Sequence, residues 1–214
     1  MVLGYGGYIK NKTFLNKLIR YDTIFIAMQY FSFALSGFPY MGVGRNLAYR
    51  KSVFFKNKGF ASHFNIESGD DDLFVNEISD KNNTRIEISI ESHTKSLPKT
   101  SFKKWFWQKV RHNSTFRYYK PLHKNLLAGE ILSRMFFYCS FILLLFCYFP
   151  LWLFISTVFI LRFIVKIIVI KKNLRQLNEN DLLLFSLFFD FLLPLLNMGF
   201  VLANIFVSKH NKWK

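Results

Sequence analysis

Three carboxylates in a row, Asp70-Asp71-Asp72, are the residues of this chain whose type and spacing most invite chemistry. Adjacent carboxylates repel one another, so such a triplet calls for a cation, a helix dipole or a proton-transfer role to offset the repulsion. Leu73, Phe74, Val75 and Ile78 follow at helical spacing, which predicts that the triplet sits at a helix N-terminus, where negative charge is stabilised. Three readings follow: an acidic helix cap without chemistry, an Asp70-x-Asp72 metal pair, or a proton-accepting carboxylate. Ser62-His-Phe-Asn-Ile-Glu-Ser-Gly ahead of the triplet reads as a mixed loop. Downstream, Trp105, Gln108, Arg111 and His112 recur at three- and four-residue spacing, so one helical face carries an aromatic ring, an amide, a guanidinium and an imidazole. Thr100 or Ser101 is placed to cap that helix.

Gln108-Lys-Val-Arg111-His112 resembles the Q-x-x-R-W motif of membrane-bound family 2 glycosyltransferases, with His112 in place of the Trp. Gly69-Asp70-Asp71-Asp72-Leu73, 38 residues upstream of Gln108 counted from Asp70, is similar to the family's E-D-x-D-L segment. Gly42-Val-Gly-Arg45-Asn46 and Gly59-Phe60 resemble the strand and Gly-Phe turn that precede that segment. The resemblance covers residues 1–125 and the hydrophobic tail. It implies the C-terminal part of a GT-A-type α/β domain over residues 1–130, followed by two or three transmembrane helices over 131–214. It also implies inverting transfer of a sugar from a nucleotide-sugar donor to a hydroxyl of a glycan or lipid acceptor. Asp70 is the expected base, and Asp71 takes that place if the alignment shifts by one. Arg111, supported by Gln108, is expected on the leaving diphosphate, and His112 leaves stacking against the acceptor sugar in question. The family's donor half, with its Asp-x-Asp and its Mg or Mn ion, has no counterpart in these residues. The start looks cut, and the chain alone is expected to be inactive and to bind no metal, with a separate chain or segment supplying the donor half. The alternative is a non-catalytic membrane protein that binds anionic lipid or a partner.

Composition supports a membrane partner. Hydrophobic residues make up 51% of the 214, with 27 Phe, against a net charge of +16. Between Lys99 and Lys124 lie eight Lys or Arg and no Asp or Glu, interleaved with aromatics, which suits an anionic headgroup region better than nucleic acid. Cys139 and Cys147 fall inside an apolar run, which argues against a disulfide framework or metal site. The first residues lack the charged start and apolar core of a signal peptide.

The elements that must position these groups are readable in outline. Thr13 to Leu35 has helical periodicity, with Lys17, Arg20 and Asp22 marking its expected wet side. Asn46–Phe55 and Arg85–Ile90 alternate as strands. His93 resembles a position near the family's acceptor channel, though a lone loop His is ordinarily solvated. Asn11, Asn82 and Asn113 begin glycosylation sequons that matter only on a lumenal face, and the clustered cations place this half on the cytoplasmic side of the cell membrane. Met135 to Leu161 is free of charge with Pro150 in its middle, which predicts spans over 132–149 and 151–170. Leu182–Val207 either spans, which would put the basic tail from Lys209 to Lys214 outside against the charge rule, or re-enters at a break near Pro194, which would keep that tail inside. Asp190 within it must face protein or water.

Overall fold

The computed structural model describes residues 1–66 and 68–210, with side chains as far as Phe206; the basic tail lies outside the described side chains. The N-terminal segment supplies two short strands, β1 (Val2–Gly4) and β2 (Gly6–Tyr8). Helix α1 (Phe14–Leu35) follows, its first turn capped by the Thr13 hydroxyl, which accepts from the Asn16 N–H at 3.3 Å. β3 (Leu47–Ala48) and β4 (Arg85–Glu87) flank β1, antiparallel and parallel respectively, and β5 (Thr94–Ser96) runs parallel to β2. Gly4 is required here because a Cβ would stand 2.4 Å from the Asn46 side chain. Asn46 Nδ2 donates to the carbonyls of Tyr5 and Ser92, tying the two sheets together.

The expected strand over Asn46–Phe55 is confined to β3, and residues Lys51–Lys56 form helix α2. Packing overrides the alternation: the helical turn brings Phe54 onto Tyr49, Phe60 and Phe74 in one aromatic cluster. The strand expected over Arg85–Ile90 likewise stops at Glu87 and gives way to a 3-10 turn at Ile90–Ser92. Helix α3 (Asp72–Ile78) begins within the acidic triplet as expected, with Asp71 as its cap, and α4 (Phe102–Asn113) is capped by Ser101, one of its two candidates.

Arg20 and Asp22 are not on a wet side. α1 is covered on one side by the sheets and on the other by later helices, so both residues are buried and paired: Arg20 with Glu179 and Asp181, Asp22 with Lys109. Burial of such charges is tolerated because each is met by opposite charge and by hydrogen bonds.

Three helices complete the chain: α5 (Pro121–Cys147), α6 (Trp152–Gln176) and α7 (Leu183–His210), and each contains a stretch long and apolar enough to cross a membrane. α5 and α6 break where Pro150 predicts, across Tyr148–Leu151, but both run further at their outer ends than the apolar stretches alone suggest. α5 passes residue 130 without interruption, so the polar region and the first apolar helix share one element. α7 runs unbroken through Pro194, and the re-entrant break is not found. Proline forfeits one backbone hydrogen bond, and here Phe189 and Phe200 on either side of it are fully buried against α1 and α4. The architecture is thus small mixed sheets and long helices.

Candidate functional site

A cavity of about 800 Å³ opens where the polar region meets the long helices. Its walls are α1, the loop from Tyr40 to Arg45, the turn at 68–72, α4 with the 3-10 turn after it, and faces of α5 and α7. All five sequence-selected site residues, Asp70, Asp71, Gln108, Arg111 and His112, line it.

The acidic wall is shaped by Gly69, which is buried with φ +110°, a conformation that L side chains rarely adopt. From this bend the three carboxylates diverge. Asp71 caps α3 and spends both oxygens on backbone donors, Oδ1 on the Asp72 N–H (2.8 Å) and Oδ2 on the Gly44 N–H (2.6 Å). Asp72 is buried; its Oδ2 accepts from the hydroxyls of Thr115 and Tyr119, both at 2.6 Å, and Oδ1 from the Leu73 N–H at 2.9 Å. Burial raises the Asp72 pKa, and the two hydroxyls act against that rise. Asp70 is exposed to the cavity and makes no hydrogen bond among the described residues. It is the one carboxylate of the triplet with its lone pairs uncommitted.

The opposite wall is α4. Trp105 anchors it from below, buried edge-on against Phe200 of α7 at 5.4 Å between ring centroids. Arg111 Nη1 donates to Ser68 Oγ at 3.0 Å, which fixes the guanidinium against the loop that carries Asp70. Arg111 Nη2 lies 3.2 Å from His112 Nε2, which accepts in the neutral imidazole. The His112 ring is open to the cavity, yet crowding by its walls, and next the positive charge of Arg111 and Lys109, lower its pKa to about 4. Asp70 is near enough to act in the opposite sense on that ring. Gln108 Oε1 is buried and has no partner among the described residues.

Several contributors are absent from the sequence reading. Lys109 and Asp22 form an ion pair at 2.9 Å in the cavity wall, and Thr115 and Tyr119 hold Asp72. Asp22 is the only acid in the first sixty residues, and Lys109 follows Trp105 by one helical turn, so both carried a signal of position but none of pairing. His93 packs edge-on against Tyr5 at 5.1 Å with Nε2 3.2 Å from the Ile88 carbonyl oxygen, which accounts for it as a structural residue.

A divalent metal does not fit the triplet. Two of the three carboxylates have their oxygens committed to backbone N–H and hydroxyl donors, and among the described residues no three His, Cys, Asp or Glu side chains converge. Compared with known proteins, the chain matches no family model, no curated protein and no solved structure.

Proposed function

We propose that this chain is the acceptor-side, membrane-associated part of an inverting glycosyltransferase of the membrane-bound family 2 kind, with a GT-A-type partial domain over residues 1–130. The observation that carries the reading is the division of labour in the triplet: Asp70 makes no hydrogen bond among the described residues and faces the cavity that also receives Arg111 and Gln108. In this reading Asp70 accepts the proton of the acceptor hydroxyl as its oxygen attacks the anomeric carbon. The bond from that carbon to the diphosphate breaks, and Arg111 meets the charge that develops on the leaving oxygens. Gln108, with its unpartnered carbonyl in the wall, orients a hydroxyl of one of the two substrates. His112, held neutral by its surroundings, offers a hydrogen bond where the family's Trp would offer a stacking face. The nucleotide sugar and its divalent metal belong to a donor half supplied by another segment or chain, and the 214 residues alone turn nothing over. In this reading the cavity faces the cytoplasm, which the cation-rich stretch at 99–124 supports through the positive-inside bias.

The test uses native membranes, which retain whatever supplies the donor half. Sugar incorporation from radiolabelled nucleotide sugars should fall on the order of a hundred- to ten-thousand-fold in Asp70→Asn, the usual cost of a missing general base. Arg111→Lys, which keeps charge and loses the planar fork, should also be impaired. If Asp71→Asn abolishes incorporation while Asp70→Asn does not, the base is Asp71; if neither matters, the turn is a helix cap only. The second reading, a non-catalytic lipid- or partner-binding protein, is favoured by the exposed Phe102, Trp107, Phe116 and Tyr118 among the lysines and arginines of 99–124.

A further inference from the structure

α7 is apolar enough to cross a bilayer, but its surroundings do not let it. One side packs on the polar region along the whole helix. Near its start Phe189 lies against Phe14 and Tyr21 of α1, with ring centroids 5.3 and 5.5 Å apart. Further along, Phe200 meets Trp105 and Phe106 of α4, and Asn204 Nδ2 reaches the Val110 carbonyl at 3.3 Å. Just before α7, Asp181 pairs with Lys10 and Arg20. Residues 183–206 extend ~36 Å at ~1.5 Å per residue, more than the ~30 Å hydrocarbon core. A crossing helix of that length would carry α4, with its exposed Lys103 and Lys104, or the Asp181 junction into hydrocarbon. Both ends of α7 therefore stand at the level of charged, water-facing groups.

The outer side is largely uncovered, its ring contacts being Phe188 with Phe14 of α1 and Phe191 with Tyr138 of α5, at 6.2 and 5.4 Å between centroids. Leu184, Phe188, Phe191, Leu195, Met198 and Leu202 are all exposed and recur at alternating spacings of four and three. This is one continuous apolar stripe with no charge on it, on the face opposite Phe189, Leu193 and Phe200. The α5–α6 hairpin agrees in depth. Its uncharged legs are residues 135–147 and 152–161, a reach of ~15–20 Å at ~1.5 Å per residue. At their base Lys166 and Tyr138 hydrogen-bond Asp190 of α7, so the stripe-bearing helix is fixed at the hairpin's charged level and not at its tip. The tip itself, Tyr148 to Trp152, holds no charged residue and is exposed.

We propose that the chain is embedded in a single leaflet: α7 lies in the plane of an anionic membrane surface with its outer stripe in the acyl boundary, and the α5–α6 hairpin dips into the same leaflet without crossing. The surplus of lysine and arginine on 99–124, with no acid among them, supplies the attraction to anionic headgroups beside the stripe. The inference is independent of the catalytic reading.

The test places single cysteines in a Cys139→Ala, Cys147→Ala background of the full chain. The protein is reconstituted in sealed vesicles of phosphatidylcholine and phosphatidylglycerol. A fluorophore at Phe188→Cys, Leu195→Cys or Leu202→Cys is quenched by lipids carrying a spin label near the headgroup or near the chain end. All three are expected at a common depth of ~5–10 Å, the burial of an interfacial helix, while Phe149→Cys reads deepest and is protected from impermeant maleimide on both sides. Depth that steps through the bilayer from 188 to 202, or labelling of Phe149→Cys from the side opposite Lys104→Cys, overturns the proposal in favour of crossing helices. Probes quenched by neither lipid, with cross-links between copies through the stripe, overturn it in favour of a second chain as the stripe's partner.

Discussion

The turn at 69–72 and the cluster around Asp190 are two places where carboxylates meet polar partners beside apolar helices, and they use them in opposite ways. Around Asp190 the single carboxylate is tied down through one oxygen: Lys166 and Tyr138 both donate to its Oδ2, and the result joins α5, α6 and α7. In the turn two carboxylates are consumed so that the third is not; Asp71 and Asp72 hold the backbone while Asp70 faces open space. The difference teaches that a polar cluster near a membrane is a candidate for chemistry only when its hydrogen-bond accounting leaves a group over.

The comparison is broken most decisively by activity. Asp70→Asn should lower incorporation on the order of a hundred- to ten-thousand-fold, whereas Asp190→Asn should leave native membranes within a few-fold of wild type; equal losses would erase the contrast. Next is the asymmetry of a buried pair. Asp190→Ala strands the Lys166 charge and should cost ~3–5 kcal/mol in detergent unfolding, while Asp190→Leu with Lys166→Met should recover most of it. A smaller effect is expected at Asp72→Ala, which orphans the Tyr119 hydroxyl and leaves that of Thr115 only the His112 carbonyl: ~1–3 kcal/mol, read as a lower unfolding midpoint.

The smallest concerns pH. His112 has its pKa depressed to about 4 from the ordinary 6.5, so its contribution to stability is complete above 6.5 and is lost as pH falls towards 4. Between pH 7 and 4 the midpoint of wild type should drop further than that of His112→Gln. Identical drops would mean the ring is not held neutral by the cavity.

Local signals carried much of the architecture. Ser101 announces α4 because a cap acts on a donor three residues away, the acidic triplet marks the start of α3, and Pro150 marks the hairpin because it cannot continue a helix. The Asp70 to Arg111 constellation was legible as spacing. What was not legible is pairing at distance. Lys109 meets Asp22 across 87 positions, and Arg20 meets Glu179 across 159, so a periodicity that marks α1 as wet on one side says nothing of what arrives to cover it. The failure within 46–55 is partly of the same kind: Phe54 turns helical to meet Phe60, which is local, and Phe74, which lies outside the short window that the alternation was read from.

α5 begins in the polar region and ends at the hairpin tip as one rod. At its foot the Lys120 N–H donates to Asn76 Oδ1, and Asn76 Nδ2 lies 2.9 Å from His123 Nδ1, so the rod is bolted to α3, the helix whose N-terminus the acidic turn caps. Such a joint is a lever arm. Through it the hairpin tip and the helix behind the carboxylates are joined by one continuous element and a single asparagine.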